Sequence, residues 1–149
     1  MICAFKYAHR DYAARYLGKL LIDCVEKHPE LSDIDSIIPV PLHWSKQWLR
    51  GYNQAELLGR ILATALDKPL ITNTLVRRRR GRVQASLGRQ ERLKNMQGVM
   101  AVKDPLHIHR KKILLVDDVA TTCSTLDACA AALKKSGALS VVCVTVARD

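Results

Sequence analysis

The chain has 149 residues, 48% hydrophobic and 26% charged, a balance that suits a globular protein with room for a real core. Its net charge of +10 points to anionic company, phosphate esters or nucleic acid. No apolar run approaches the ~18 residues of a membrane span, and Lys6, His9, Arg10 and Asp11 interrupt the N-terminus too early for a secretory signal.

From Tyr12 to Val25 a helical stripe runs through Tyr16, Leu17, Leu20, Leu21 and Cys24, and His28-Pro29 ends it. Ile34 to Val40 reads as a buried strand, with Pro39 and Pro41 forcing an extended exit. The loop that follows carries Trp44, Lys46, Trp48 and Arg50. Asn53 then opens a helix, with Glu56 in a capping-box relation and Leu57, Leu58, Ile61, Leu62, Ala65 and Leu66 as its buried face. Residues 70–76 form a short β-like piece.

Charge then takes over. Between Arg77 and Asn95 stand eight cations against one acid, Glu91, which is +7 of the chain's +10. Four adjacent arginines cannot all be buried, so an exposed, mobile loop is expected. Three roles stay open for it: a pyrophosphate clamp, a sequence-independent nucleic-acid contact, or a solvated basic loop. Gln97 to Val102 is the next strand. His107 and His109 belong to an exposed turn.

Ile113-Leu114-Leu115-Val116 is a short buried strand, and Asp117 and Asp118 stand where it ends. The small residues Val119 and Ala120 lead into Thr121, Thr122, Cys123, Ser124 and Thr125, and then a helix with Leu126, Cys129, Ala130 and Leu133 on one face. The layout suits a phosphorylated polyol. N–H groups at a helix N-terminus attract phosphate. Hydroxyls add donors. Two carboxylates can accept from sugar hydroxyls or hold Mg²⁺, directly or through water. A receiver domain also has an acidic pair at a strand end, but it needs a later Asp-bearing strand and a later Lys-bearing one; here Asp127 falls inside the helix and Asp149 ends the chain. Lys134 and Lys135 in the last turn, with Gly137 beyond, close the helix. Leu139 to Ala147 is a final buried strand. The five cysteines are odd in number and lack C-x-x-C spacing, so no disulfide framework or zinc knuckle is expected. Cys24, Cys129 and Cys143 read as core residues, in a reducing cytoplasm.

The run from Ile113 to Thr125 resembles the phosphoribosyl pyrophosphate (PRPP) loop of the type I phosphoribosyltransferases. The family usually has Gly where this chain has Cys123. Pro-Val-Pro followed by Arg50-Gly51-Tyr52-Asn53-Gln54 narrows the resemblance to the ComF (competence protein F), or GntX-like, branch. Arg77, Gln84, Leu87, Arg92 and Asn95 match that branch's spacing, while Gly81 and Met100 replace its usual Thr and Phe. ComF-like proteins usually carry a Cys-x-x-Cys zinc module before this region, and no such spacing occurs here.

The resemblance implies a single phosphoribosyltransferase-like domain over 1–149. Its fold would be α/β, a central parallel sheet flanked by helices on both faces, with a flexible basic loop at about 77–95. Strands near 34–40, 96–102, 113–117 and 139–147 would build the sheet. It implies Mg²⁺-dependent transfer of a 5-phosphoribosyl group from PRPP to a nucleobase or amine, releasing pyrophosphate. Asp117, Asp118 and Arg92 would carry catalysis. Residues 117–125 would bind PRPP, Asp117 and Asp118 would hold Mg²⁺, and Arg50, Gly51, Arg77 and Arg78 would bind pyrophosphate. The alternative is a non-catalytic PRPP-, nucleotide- or DNA-binding module in DNA uptake or utilisation, the basic loop meeting nucleic acid.

Overall fold

The computed structural model describes residues 10–31, 33–42, 52–78 and 99–148. Its first helix, α1 (Arg10–Glu26), buries Ala14, Leu17, Leu21 and Val25, spaced three or four apart on one stripe. This corrects the expected face, because Tyr16 and Leu20 are 53% and 46% exposed and Cys24 is exposed. The cause is a close helix crossing. A Cβ on Gly18 would sit 2.7 Å from Ile61 Cγ2 of the second helix, so the Ala14–Gly18 side turns inward.

Strand β1 (Ser36–Pro39) is buried at all four positions. Helix α2 (Gln54–Leu66) starts from Asn53, whose side chain accepts from the Ala55 N–H. Asn53 also donates to the Val40 carbonyl at 3.0 Å, tying the helix start to the end of β1. The capping box does not form: Glu56 turns outward to Arg60 at 2.6 Å. Asp67, in a left-handed conformation, ends the helix.

The 70–76 piece divides between two sheets. Ile37 donates to Pro69 and Ile71 donates to Ile37, both at 2.9 Å, which lays residues 69–71 along β1. Beyond the polar pair Thr72 and Asn73, β2 (Leu75–Arg77) pairs antiparallel with β3 (Met100–Val102) in a separate two-stranded sheet. The expected place for the 96–102 strand in the central sheet is therefore corrected. Both flanks of β1 are already taken, one by residues 69–71 and the other by β4 (Lys112–Ala120).

β4 pairs in parallel with β1 on one side and with β5 (Ser140–Arg148) on the other. Alternation divides the core. Ile37, Leu114 and Val116 pack under α1 and α2, while Ile38, Ile113 and Leu115 pack on the opposite face with Leu126, Cys129 and Leu133 of α3 (Ser124–Lys135). All six of these strand residues and two of the three helix residues are at 0% exposure, and Leu126 is at 6%. β5 is an edge strand, so Val142 and Cys143 are exposed where a fully buried strand was expected.

The connections run opposite ways. From β1 the chain passes through α2 to residues 69–71, away from β4. From β4 it passes through α3 to β5, away from β1. The gap between the carboxyl ends of β1 and β4 is thus a topological switch point, where open α/β sheets bind ligands.

Candidate functional site

β1 pairs with β4 only as far as Pro39 and Val116, and the Val40 N–H closes the ladder on the Val116 carbonyl at 2.9 Å. β4 continues to Ala120, held by β5 through Asp117–Thr145, Val119–Ala147 and Ala120–Arg148. Asp117 and Asp118 therefore lie within the strand, not at its end as expected, in the stretch that outruns β1. They stand in the switch-point crevice.

Both carboxylates are half-buried. Asp117 Oδ1 accepts from the Asp118 N–H at 2.9 Å, and Asp118 Oδ1 accepts from the Val119 N–H at 2.8 Å. Each of these bonds uses one oxygen of a two-oxygen acceptor. After buried Ala120 and exposed Thr121, the chain turns sharply at Cys123, whose φ of 58° is left-handed. This is the position where a Gly is usual in the loop the sequence resembles, and the turn explains why. Thr122 Oγ1 lies 2.9 Å from Ser124 Oγ across the turn. No side chain caps α3, and its first helical bond runs from the Asp127 N–H to the Cys123 carbonyl at 2.9 Å. The first-turn N–H groups and their partial positive charge are thus directed at the loop.

Burial first, and then the neighbouring Asp117 carboxylate, holds the Cys129 thiol well above its ordinary range; Arg77 pulls the other way. Asp117 and Arg77 thus act on the same buried thiol from β4 and β2. Burial also lowers the pKa of half-buried Arg77. Arg78 continues the hairpin ladder by donating its N–H to the Val99 carbonyl at 2.8 Å.

Adjacent oxygen-only carboxylates suit Mg²⁺, which keeps water and substrate phosphate in its shell. Among the described residues no group of three or more His, Cys, Asp or Glu could cage a metal. No helix among the described residues is long and apolar enough to cross a membrane.

Of the residues singled out in the sequence, 117–125 form one continuous run from the end portion of β4 through the 121–123 turn into α3, with Arg77 and Arg78 at the β2 strand. Arg50, Gly51 and Arg92 lie outside the described residues, as do Trp44, Lys46, Trp48, Gln84, Leu87 and Asn95. Sequence reasoning missed Thr72, Asn73 and Lys103, which line a cavity with Arg77 and Arg78. The signal was there: three polar residues, Thr72, Asn73 and Thr74, interrupt the otherwise apolar 70–76 run.

A parallel sheet covered by helices on both faces, with an acidic pair and a hydroxyl turn at its switch point, defines a type I phosphoribosyltransferase-like fold. The chain matches the phosphoribosyl transferase domain family over residues 53–149 and belongs to it. It is 34% identical over 141 residues to competence protein F of Haemophilus influenzae, covering 92% of this chain and 62% of that protein. It is 31% identical over 145 residues to the DNA utilization protein YhgH of Salmonella typhimurium, covering 95% and 63%. The chain thus spans less than two thirds of these curated relatives. The purine phosphoribosyltransferase of Pyrococcus horikoshii superposes with a TM-score of 0.57 at 20% identity, over 89% of this chain and 74% of that one. The adenine phosphoribosyltransferase of Leishmania donovani gives 0.59 at 15% identity, over 93% and 53%. These structural likenesses establish the fold.

Proposed function

We propose that the chain, as one phosphoribosyltransferase-like domain over 1–149 in the cytoplasm, binds PRPP with Mg²⁺ and transfers its 5-phosphoribosyl group to a nitrogen nucleophile. The observation that carries this reading is one short run at the switch point: two carboxylates inside β4, a left-handed residue and an uncapped helix start. Asp117 and Asp118 accept from the ribose hydroxyls and hold Mg²⁺ through water. The N–H groups and hydroxyls of residues 119–125 cradle the 5-phosphate. Arg50, the Gly51 backbone, Arg77, Arg78 and Arg92 neutralise pyrophosphate. The bond from ribose C1 to pyrophosphate oxygen breaks, pyrophosphate leaves with the electron pair, and the acceptor nitrogen bonds C1 and loses its proton to solvent. Bound Mg²⁺ supplies charge neutralisation at the leaving oxygens. No general base stands among the assigned residues, so catalysis rests on electrostatic stabilisation of the departing group.

The test is calorimetry with PRPP and Mg²⁺, followed by pyrophosphate release across a panel of nucleobases and amines. Heat with turnover supports the transferase. An absence of heat with PRPP would overturn the reading.

A second reading is a non-catalytic PRPP-, nucleotide- or DNA-binding module. It is favoured by Cys123 at the phosphate turn, by the +7 run of residues 77–95, and by relatives named for competence and DNA utilization. PRPP binding without turnover, or DNA binding that falls steeply with salt, supports this second reading.

A further inference from the structure

An open groove of about 660 Å³ runs between α1 and α2, beside the point where Gly18 lets Ile61 come close. Ile22, Ile61 and Ala65 give it an apolar lining. Ile22 and Ile61 pack against the core on one side and stay only half-buried, and Ala65 is exposed. The groove stands apart from the crevice. Asn53 ties the start of α2 to the end of β1, and Arg60 and Ala65 stand roughly 10 and 18 Å further down the helix at its usual rise. None of the lining residues belongs to the acidic pair, the Cys123 turn or the β2–β3 hairpin.

Charge in the groove is one-sided. On the α2 wall Arg60 is matched by Glu56 at 2.6 Å, and the Thr64 hydroxyl donates to the Arg60 carbonyl at 3.1 Å, so that wall is neutral. On the α1 wall stand Arg15 and Lys19, both exposed. Neither forms an ion pair among the described residues. One turn apart on the same helix, the two cations are neighbours, and like charges at that spacing repel. An anionic partner relieves that repulsion.

The lining narrows the partner. Nucleic-acid phosphates gain nothing from apolar wall, and small ligands sit in pockets that enclose most of their surface, whereas this groove is open. A helix laid along it uses both features, with apolar anchors at i, i+3, i+4 and i+7 and acids beside them. Two packed helices receive a third through the same ridges and grooves. We propose that the α1–α2 groove docks an acidic amphipathic helix of a partner protein. Its apolar stripe rests on Ile22, Ile61 and Ala65, and its Asp or Glu flank faces Arg15 and Lys19. This site does not depend on the PRPP reading.

The test titrates a fluorescein-labelled synthetic helix into the full chain and follows anisotropy. The peptide carries leucines at i, i+3, i+4 and i+7 and glutamates along one flank of that stripe. Two companion peptides replace the glutamates with lysine or the leucines with serine. The protein variants are Arg15→Glu with Lys19→Glu, and the conservative Arg15→Lys with Lys19→Arg, each checked by circular dichroism. The wild type should bind the glutamate peptide and neither companion. The reversal should weaken that binding by about fivefold or more, because two exposed ion pairs become two repulsions, and should take up the lysine peptide instead. The conservative variant should bind as the wild type does. If the double reversal unfolds, Lys19→Glu alone is read, with a loss of about twofold expected. No binding of the glutamate peptide, or binding unmoved by the reversal, would overturn the proposal. So would single-stranded DNA or phosphatidylglycerol vesicles that displace the peptide and lose more affinity than it does on reversal, which would assign the groove to that anion. PRPP affinity should be the same in the reversal variant as in the wild type; a loss matching that of the peptide would join the groove to the crevice and overturn the proposal.

Discussion

Thr122 Oγ1 and Ser124 Oγ stand 2.9 Å apart, bridged by a residue with φ of 58° that is not glycine. The left-handed region costs an ordinary L-residue about 1–2 kcal/mol, while glycine loses about 0.5–1 kcal/mol more entropy than alanine on folding. The two effects nearly cancel. Cys123→Gly is expected to leave denaturant stability unchanged or slightly raised, and to tighten phosphate binding by removing the Cβ. Cys123→Val, β-branched and unable to relax at positive φ, should lower the urea midpoint. Equal midpoints for Gly and Val would mean that the turn has relaxed.

Asp118→Asn keeps the amide-accepting oxygen that meets the Val119 N–H at 2.8 Å and removes the charge. A hydrogen bond to a charged group is worth roughly 1.5–3 kcal/mol, so PRPP affinity with Mg²⁺ should fall by an order of magnitude or more. Calorimetry with and without EDTA checks this. The wild type should lose affinity in EDTA, and the variant should lose much less, since the cation would already be poorly held.

The cysteines supply a pH signature. Cys143 is exposed as a residue on the edge strand, yet burial of its thiol, followed by the Asp127 carboxylate, pushes it from 9.0 up to about 11. In the unfolded chain it ionises near 9. The folded state therefore binds more protons between about pH 9 and 11, and stability drains away across that window. Below pH 9 the contribution is fully present. Urea melts of wild type and Cys143→Ser over pH 8–11 should show a shallower alkaline decline in the variant. Cys129, at 0% exposure with its thiol held higher still, should resist iodoacetamide at pH 8 until the protein unfolds, while exposed Cys24 is labelled in the native state.

Leu114, at 0% exposure between β1 and β5, should cost about 2–5 kcal/mol when cut to alanine. Leu20, at 46% exposure, should cost no more than about 0.5 kcal/mol when replaced by serine. Similar losses for both would restore the helix face expected from sequence.

The central motif was legible because three signals coincide there: an apolar run, an acidic pair and a hydroxyl turn leading into a helical stripe. The register of α1 was not, since Tyr16 and Leu20 fit an apolar stripe as well as Ala14 and Leu17 do. What decides between them is Gly18 meeting Ile61, a tertiary contact invisible to periodicity. The 96–102 strand was recognised as a strand but placed in the wrong sheet. Its partner β2 lies more than twenty residues earlier, and local pattern carries no information about pairing across that gap. The acidic pair was found, but not its place inside the strand, because β5 extends β4 from outside the local window.

β1 and β4 meet across 77 residues, from Ser36 to Ile113. Their parallel ladder cannot form by zipping outward from a turn, and closing so long a loop comes before any of its contacts can compensate. The crevice therefore has no existence in either half of the chain alone. A nascent polypeptide released before β4 and β5 emerge would leave unpaired the edge of β1 that β4 covers, which makes late synthesis the moment of greatest aggregation risk and ties ligand binding to completion of the C-terminal strand.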